Sequence, residues 1–133
     1  MTLVVDPSKD GFEKVLRDYQ IEALKRVWNS GETGVTSREV YQHVNKALKG
    51  VKTISRASII NFLNRMCDEK VINYVEETCK GGMRRKYSTG LNEDEFKKYI
   101  ATIVFESLLK DFPDQTMDAL KETLGDKAIE LGL

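Results

Sequence analysis

Cysteine is scarce in this chain, and its few cysteines are not arranged for redox or metal chemistry. Among 133 residues only Cys67 and Cys79 are present, without a Cys-x-x-Cys motif. Two cysteines are too few for the disulfide scaffold of a small secreted domain, so we expect a reducing, cytoplasmic location. Lys80 follows Cys79 and would favour a reactive thiolate, but we expect neither cysteine to be catalytic.

Histidine is scarcer still, since His43 is the only one in the chain. No second histidine or cysteine stands at the spacing of a metal site, and no pair of carboxylates has the spacing of a catalytic pair. Gly81-Gly82 is not a phosphate-binding motif. We therefore predict no enzyme activity, no metal site and no cofactor.

Long apolar runs are also missing. No run approaches 18 residues, so we predict no membrane span. The opening MTLVVDPSKD lacks the basic and apolar regions of a secretory signal. A hydrophobic content of 41% and a charged content of 32% are typical of a soluble globular protein. The length predicts one domain, with or without a helical extension.

The formal net charge is zero, but the two halves of the chain differ in sign. Residues 1–90 hold 16 Lys and Arg against 11 Asp and Glu, whereas residues 91–133 hold 5 against 10. Only the front part would therefore be attracted to a polyanion.

Apolar spacing and stop signals divide the chain into three parts. We predict a flexible N-terminus over 1–10, a domain over 11–90 and a helical region over 91–133. A helical pattern runs from Phe12 to Trp28, and Asn29-Ser30-Gly31 ends it. Thr36-x-x-Glu39 fits a capping box that opens a second helix, which reaches about Leu48.

The most informative stretch runs from Ser55 to Ser88. It predicts a third helix with the inward stripe Ile59, Phe62, Leu63 and Met66, and then strands over 71–77 and 84–88 joined by Lys80-Gly81-Gly82. A helix followed at once by a basic hairpin is typical of a winged helix-turn-helix. We predict a mainly α fold with a small β-hairpin, namely a winged helix-turn-helix followed by C-terminal dimerisation helices.

Duplex DNA is the partner that this pattern favours. Asn61 and Asn64 carry the groups that pair with adenine edges, and Ala57 and Ile60 could contact thymine methyls. Helix starts and the basic hairpin would bind phosphates or probe the minor groove. The predicted DNA-binding residues are Thr36, Ser37, Arg38, Ser55, Arg56, Ala57, Ser58, Ile60, Asn61, Asn64, Arg65, Lys80, Arg84, Arg85 and Lys86.

The C-terminal region carries a wide apolar stripe that Pro113 interrupts, after which Asp114 is predicted to cap a last helix. This stripe either packs back on the preceding domain or forms a homodimer, and we favour the homodimer. The predicted interface residues are Phe96, Ile100, Ile103, Val104, Leu108 and Phe112.

From Tyr19 to Ser88 the chain resembles the penicillinase-repressor and methicillin-resistance-repressor family of winged-helix proteins. The matching segments are Val27-Trp28, Val35-Thr36-x-x-Glu39-Val40, Ile54-Ser55-x-x-Ser58-Ile59, Arg65-Met66 and Lys70-Val71-Ile72. The resemblance implies repression of transcription by a homodimer on palindromic operators. It places Arg56, Ala57, Ser58, Asn61 and Arg65 on the recognition helix, and Lys80–Lys86 in the wing.

The chain also departs from that family. Its wing is longer and more basic, and it lacks the C-terminal cysteine cluster of copper-sensing relatives. Asp111-Phe112 stands where antibiotic-responsive relatives are cleaved, but Pro113 follows it, and we predict no β-lactam role. An alternative is a winged-helix module that binds protein, for which an exposed Ile60 would be the contact. A small-molecule effector is not identifiable from the sequence.

Overall fold

The computed structural model describes residues 3–130, with the side chains of residues 126 and 128–130 left aside. The prediction of a mainly helical chain with a small antiparallel sheet is confirmed. Three strands pair in the order β1-β3-β2. The elements are α1 (Asp18–Ser30), β1 (Val35–Thr36), α2 (Ser37–Ala47), α3 (Arg56–Asp68), β2 (Ile72–Cys79), β3 (Gly82–Thr89), α4 (Glu93–Asp111) and α5 (Pro113–Glu130).

The first predicted helix is split in the structure. A 3-10 turn occupies Gly11–Lys14, and α1 begins only at Asp18. The prediction of one helix from Phe12 is wrong because apolar periodicity also fits a turn that packs on the same core. Leu16, between the two elements, is buried.

The N-terminal segment, predicted to be flexible over 1–10, makes specific contacts from Leu3 onward. Leu3 is buried, and the Asp6 N–H donates a hydrogen bond to the Lys14 carbonyl at 2.7 Å. The described part of the segment is therefore packed against the 3-10 turn. Pro7 lies in a stretch without helix or strand, but the segment remains packed against the domain.

Both predicted helix starts near the hairpin are confirmed. The Glu39 N–H donates to Thr36 Oγ1 at 3.3 Å, and the Thr36 N–H donates to Glu39 Oε1 at 3.3 Å, which completes the capping box of α2. At α3, the Ser58 N–H donates to Ser55 Oγ at 3.1 Å. These bonds satisfy donors that lack a partner within the helix.

The hairpin is longer than predicted. Its strands pair from Ile72 opposite Thr89 to Cys79 opposite Gly82, so that Lys80 and Gly81 alone form the loop. Gly81 has φ of 96°, a conformation that favours glycine.

The short extended piece before α2 becomes an edge strand. Val35 pairs with Tyr87 and Thr36 with Lys86. Gly34, with φ of 81°, lies so close to β3 that a Cβ there would stand 2.9 Å from the Tyr87 carbonyl oxygen. Glycine at this position therefore lets α2 begin directly beside the hairpin.

One core joins the three helices of the domain to the sheet. The predicted inward stripe of α3 is confirmed, since all four of its members are buried. The other buried residues of this core are Ala23, Leu24, Val27, Val35, Val40, Val44, Val71, Ile72 and Tyr87.

The chain forms two compact units, the first ending at Phe96 and the second beginning at Lys97. Phe96 is fully buried in the first unit, with its ring centroid 5.7 Å from that of Phe12 and 5.9 Å from that of Trp28. Its prediction as a dimer contact is therefore wrong. The first unit extends beyond residue 90 because the first turn of α4 supplies this ring to the core.

The second unit comprises the rest of α4 and α5. Pro113 occupies the first position of α5, where its missing N–H costs nothing, so the helix starts one residue before the predicted cap at Asp114. Gly125 interrupts α5 with φ of 31° and ψ of −124°. No helix within residues 3–130 combines the length and apolar character that a membrane span requires.

Candidate nucleic-acid interface

A basic cleft of about 330 Å³ lies between the starts of α2 and α3 and the hairpin. Three elements that are far apart in sequence build it. Six of its seven residues are predicted DNA-binding residues, and Cys79 is the seventh, which sequence reasoning did not assign to the site. The lining is Thr36, Ser37, Arg38, Arg56, Cys79, Lys80 and Arg84.

The cleft has an excess of unpaired positive charge. Four of its side chains are cationic, and no carboxylate lines it. Within residues 3–130, Arg84 alone of the four has an ion pair, with its Nε 2.6 Å from Glu77 Oε1. Arg38, Arg56 and Lys80 are exposed and make none. Such a surface attracts a polyanion.

Two helix N-termini add backbone donors to this charge. The first N–H groups of α2 and α3 have no partner within their helices, and both helices begin at residues that line the cleft or adjoin it. A phosphate bound there would meet amide donors as well as guanidinium groups. Ser55, predicted to contact DNA, instead caps α3 and donates to Ser58 Oγ at 2.9 Å.

The exposed face of α3 retains only part of the predicted reading residues. Arg56, Ala57 and Asn61 are exposed, whereas Ser58 and Ile60 are half-buried. Asn61 makes no hydrogen bond through its side chain to any described residue, so both groups of its amide are available to an adenine edge.

Asn64 has a different environment from Asn61. Its Oδ1 accepts hydrogen bonds from Arg85 Nη1 at 3.1 Å and from the Tyr87 hydroxyl at 2.8 Å. Burial raises the pKa of Tyr87, so its hydroxyl remains a donor. Because its oxygen is already engaged, we correct the assignment of Asn64 from a base-reading residue to one that joins α3 to β3.

Arg85 also does not lie with the other residues of the predicted basic wing. Side chains alternate along a strand, so Arg85 shares one face of β3 with Tyr87, and Arg84 shares the other with Lys86. The Arg85 guanidinium lies 3.9 Å from the centroid of the Tyr74 ring, in a cation–π contact. Arg85 therefore holds the hairpin against α3. Lys86, half-buried opposite Thr36, lies on the same face as Arg84.

Arg65 is likewise not at the cleft. Its guanidinium lies 5.6 Å from the Phe62 ring centroid, and it lines a separate cavity with residues of the N-terminal segment and α1. The predicted DNA contact for Arg65 is thus not supported by its position. Helical spacing alone did not distinguish this side of α3 from the exposed face.

Cys67 lies near the junction of α3 and the hairpin, and we expect it to be unreactive. Burial raises the pKa of its thiol to about 11, an effect that the charge of Arg85 offsets only in part. The thiol is therefore protonated at pH 8, with about a hundredfold less thiolate than an ordinary cysteine has. In a Cys79→Ser variant, iodoacetamide at pH 8 should modify Cys67 about a hundredfold more slowly than glutathione, measured by mass spectrometry. Alkylation at the rate of glutathione would contradict this.

The part of the chain that the structure describes holds no group of three or more His, Cys, Asp and Glu side chains able to bind a metal ion. His43 lies with its Nε2 3.2 Å from Glu22 Oε2, between α2 and α1.

Neither a protein-family model nor a curated protein matches this chain. The resemblance to the penicillinase-repressor family therefore stays a prediction.

Proposed function

We propose that the protein is a sequence-specific DNA-binding transcriptional regulator with a winged helix-turn-helix fold. The observation that carries the proposal is the basic cleft, in which the starts of two helices and a hairpin bring together four cations, three of which lack carboxylate partners among the described residues. The element order supports it, because a helix, a short strand, two helices and a hairpin follow one another as in a winged helix.

In this proposal α3 is the recognition helix. Its exposed residues Ala57 and Asn61 enter the major groove, while Arg56 and the rest of the cleft bind the adjacent phosphates. Lys80 and Arg84 place the hairpin along the backbone. The alternative of a protein-binding module loses support, because Ile60 is half-buried rather than exposed.

The test is binding to a generic duplex of about 30 bp, or about three helical turns, measured by fluorescence anisotropy across a salt series. We expect log K to fall by about 0.9 for each phosphate contact per decade of salt. Absence of binding at low salt would refute the proposal.

The two asparagines of α3 should differ in their effects on binding. Asn61→Ala should lower the free energy of discrimination between the cognate base pair and the others at one position by about 1–3 kcal/mol, because a bidentate contact is lost. Asn64→Ala should instead lower stability by about 1–3 kcal/mol, since it leaves the Tyr87 hydroxyl and Arg85 without their acceptor. Selection from a randomised duplex library and thermal unfolding would measure the two effects. A changed base preference in Asn64→Ala, at unchanged stability, would restore Asn64 as a reading residue.

We propose further that the regulator is a homodimer formed through its second unit. Phe105 and Leu108 of α4, together with Phe112 directly after it, face residues of α5 across an apolar cleft of about 330 Å³. Among the described side chains from Lys97 onward, Thr116 alone is buried, so this unit has almost no core of its own.

A second copy supplies the same apolar surface, and symmetric pairing would bury both. Sedimentation equilibrium should give twice the chain mass. A monomer at all concentrations would exclude this arrangement while leaving DNA binding to be tested separately. A symmetric dimer would read two half-sites about 34–36 Å apart, or a multiple of that distance.

A further inference from the structure

A second polar cavity, of about 520 Å³, lies in the first unit and shares no residue with the basic cleft. Its size is within the range of pockets that hold small organic molecules. Three parts of the chain meet there. They are the N-terminal segment at Val4, Asp6 and 13–17, the first turn of α1 at Tyr19 and Gln20, and α3 at Arg65.

Arg65 is the residue that distinguishes this cavity. Its Nε is buried and makes no hydrogen bond to any residue that the structure describes. One side of the guanidinium lies over Phe62. A buried donor on a charged group is costly to leave without an acceptor, and native proteins seldom do so.

The other charges around the cavity are partly engaged within the protein. Asp6 Oδ1 accepts from the Ser8 N–H at 2.9 Å and from Ser8 Oγ at 2.6 Å. Lys14 Nζ donates to the carbonyls of Pro7 and Lys9. Arg17 is exposed and forms no ion pair within residues 3–130. The cavity thus offers two guanidinium groups without a carboxylate partner.

A neighbouring cavity of about 500 Å³ shares Glu13, Leu16, Arg17 and Tyr19 with this one, but it contains Lys52 and not Arg65. There Lys52 Nζ lies 2.9 Å from Asp18 Oδ2. An anion beside Lys52 would have to displace that pair, whereas the guanidinium of Arg65 has no carboxylate partner among the described residues.

We propose that the cavity beside Arg65 binds a small organic monocarboxylate. The planar fork of arginine matches a carboxylate, with Arg65 and Arg17 as its two ligands. Lys14, Arg17 and Arg65 exceed Asp6 and Glu13 by one charge, which favours a monoanion over a dianion such as phosphate. Val15, Leu16 and the ring of Tyr19 provide surface for the organic part.

The test is NMR titration of the full chain with benzoate, following the Nε–H resonance of Arg65 and the backbone amides. Benzoate should shift the Arg65 Nε–H and the amides of Arg17 and Tyr19, saturating with a Kd of about 1 mM or below. Benzamide, which is neutral and has the same shape, should shift none of them. Inorganic phosphate should bind at least about tenfold more weakly if monoanions are preferred.

Two variants keep the test decisive. Arg65→Gln should abolish the response, and Arg17→Gln, at an exposed position, should weaken benzoate binding about tenfold without affecting folding. Arg26→Gln, on the opposite part of α1 and paired with Glu39, should leave the affinity unchanged. The proposal is overturned if benzoate gives no saturable shift, if benzamide binds equally well, or if the Arg17→Gln and Arg26→Gln variants bind benzoate alike. Because no step of this titration uses DNA, its outcome is independent of the proposed regulatory function.

Discussion

Alanine replacement of Arg38 and Arg56 together is expected to weaken binding to every duplex DNA about sixtyfold at 0.1 M salt. The two side chains come from different helices, line the same cleft and form no ion pair with any described residue. If each neutralises one phosphate, the salt slope falls by about 1.8, and each contact accounts for about 0.9 log unit between 0.1 M and 1 M salt. Fluorescence anisotropy at four or more salt concentrations would measure both quantities.

The matched control for this variant replaces Lys25 and Lys49 by alanine. These lysines are exposed and lie outside the cleft, and their replacement removes the same formal charge as the loss of the two arginines. We expect their loss to change the affinity less than threefold, because exposed charges that do not contact the DNA are largely screened at this ionic strength. Equal losses in both variants would mean that net charge alone drives binding and that the cleft has no special role.

The second large effect is expected at Phe96. Phe96→Ala should destabilise the first unit by about 3–5 kcal/mol, because a fully buried aromatic ring is removed from between Phe12 and Trp28. For a unit of this size the melting temperature should fall by about 12 °C or more. Trp28 is the only tryptophan in the chain, so its fluorescence reports this region directly.

Phe112→Ala is the control, because that ring is 57% exposed and belongs to the second unit. It should leave the melting of the Trp28 region within about 0.5 kcal/mol of wild type. If Phe96 instead belonged to a dimer interface, the effect of Phe96→Ala would disappear as protein concentration rises. Unfolding at two concentrations fiftyfold apart separates these cases.

Much of the first unit was predictable from sequence because burial there follows helical spacing and local capping. The stripe of α3, the capping box at Thr36 and the hairpin each depend on residues within a few positions of one another. The 3-10 turn at Gly11–Lys14 was not predictable in this way, because it shares the apolar spacing of a helix.

The errors at the candidate site have a different physical origin. The sequence assigns Asn64 to DNA because helical spacing places it opposite the apolar stripe of α3, and Arg85 because it belongs to the basic hairpin. In the structure Asn64 bonds to Arg85 and Tyr87, which lie 21 and 23 positions further along the chain. These contacts depend on which face of β3 each residue occupies. Phe96 was misassigned because a continuous stripe on α4 does not reveal that its first member is buried in the preceding unit.

The hydrogen bonds from Arg85 and Tyr87 to Asn64 fix the separation between α3 and the hairpin, and the contact of Arg85 with Tyr74 holds its guanidinium in place. A change in that distance would break both hydrogen bonds that Asn64 accepts from the hairpin. In the proposed complex, α3 in the groove and the hairpin on the backbone are therefore held at a fixed distance from each other, so the protein fits only one spacing between the bases and the phosphates that it contacts. An extra base pair within a half-site, which adds about 3.4 Å, would force the protein to forgo one set of contacts.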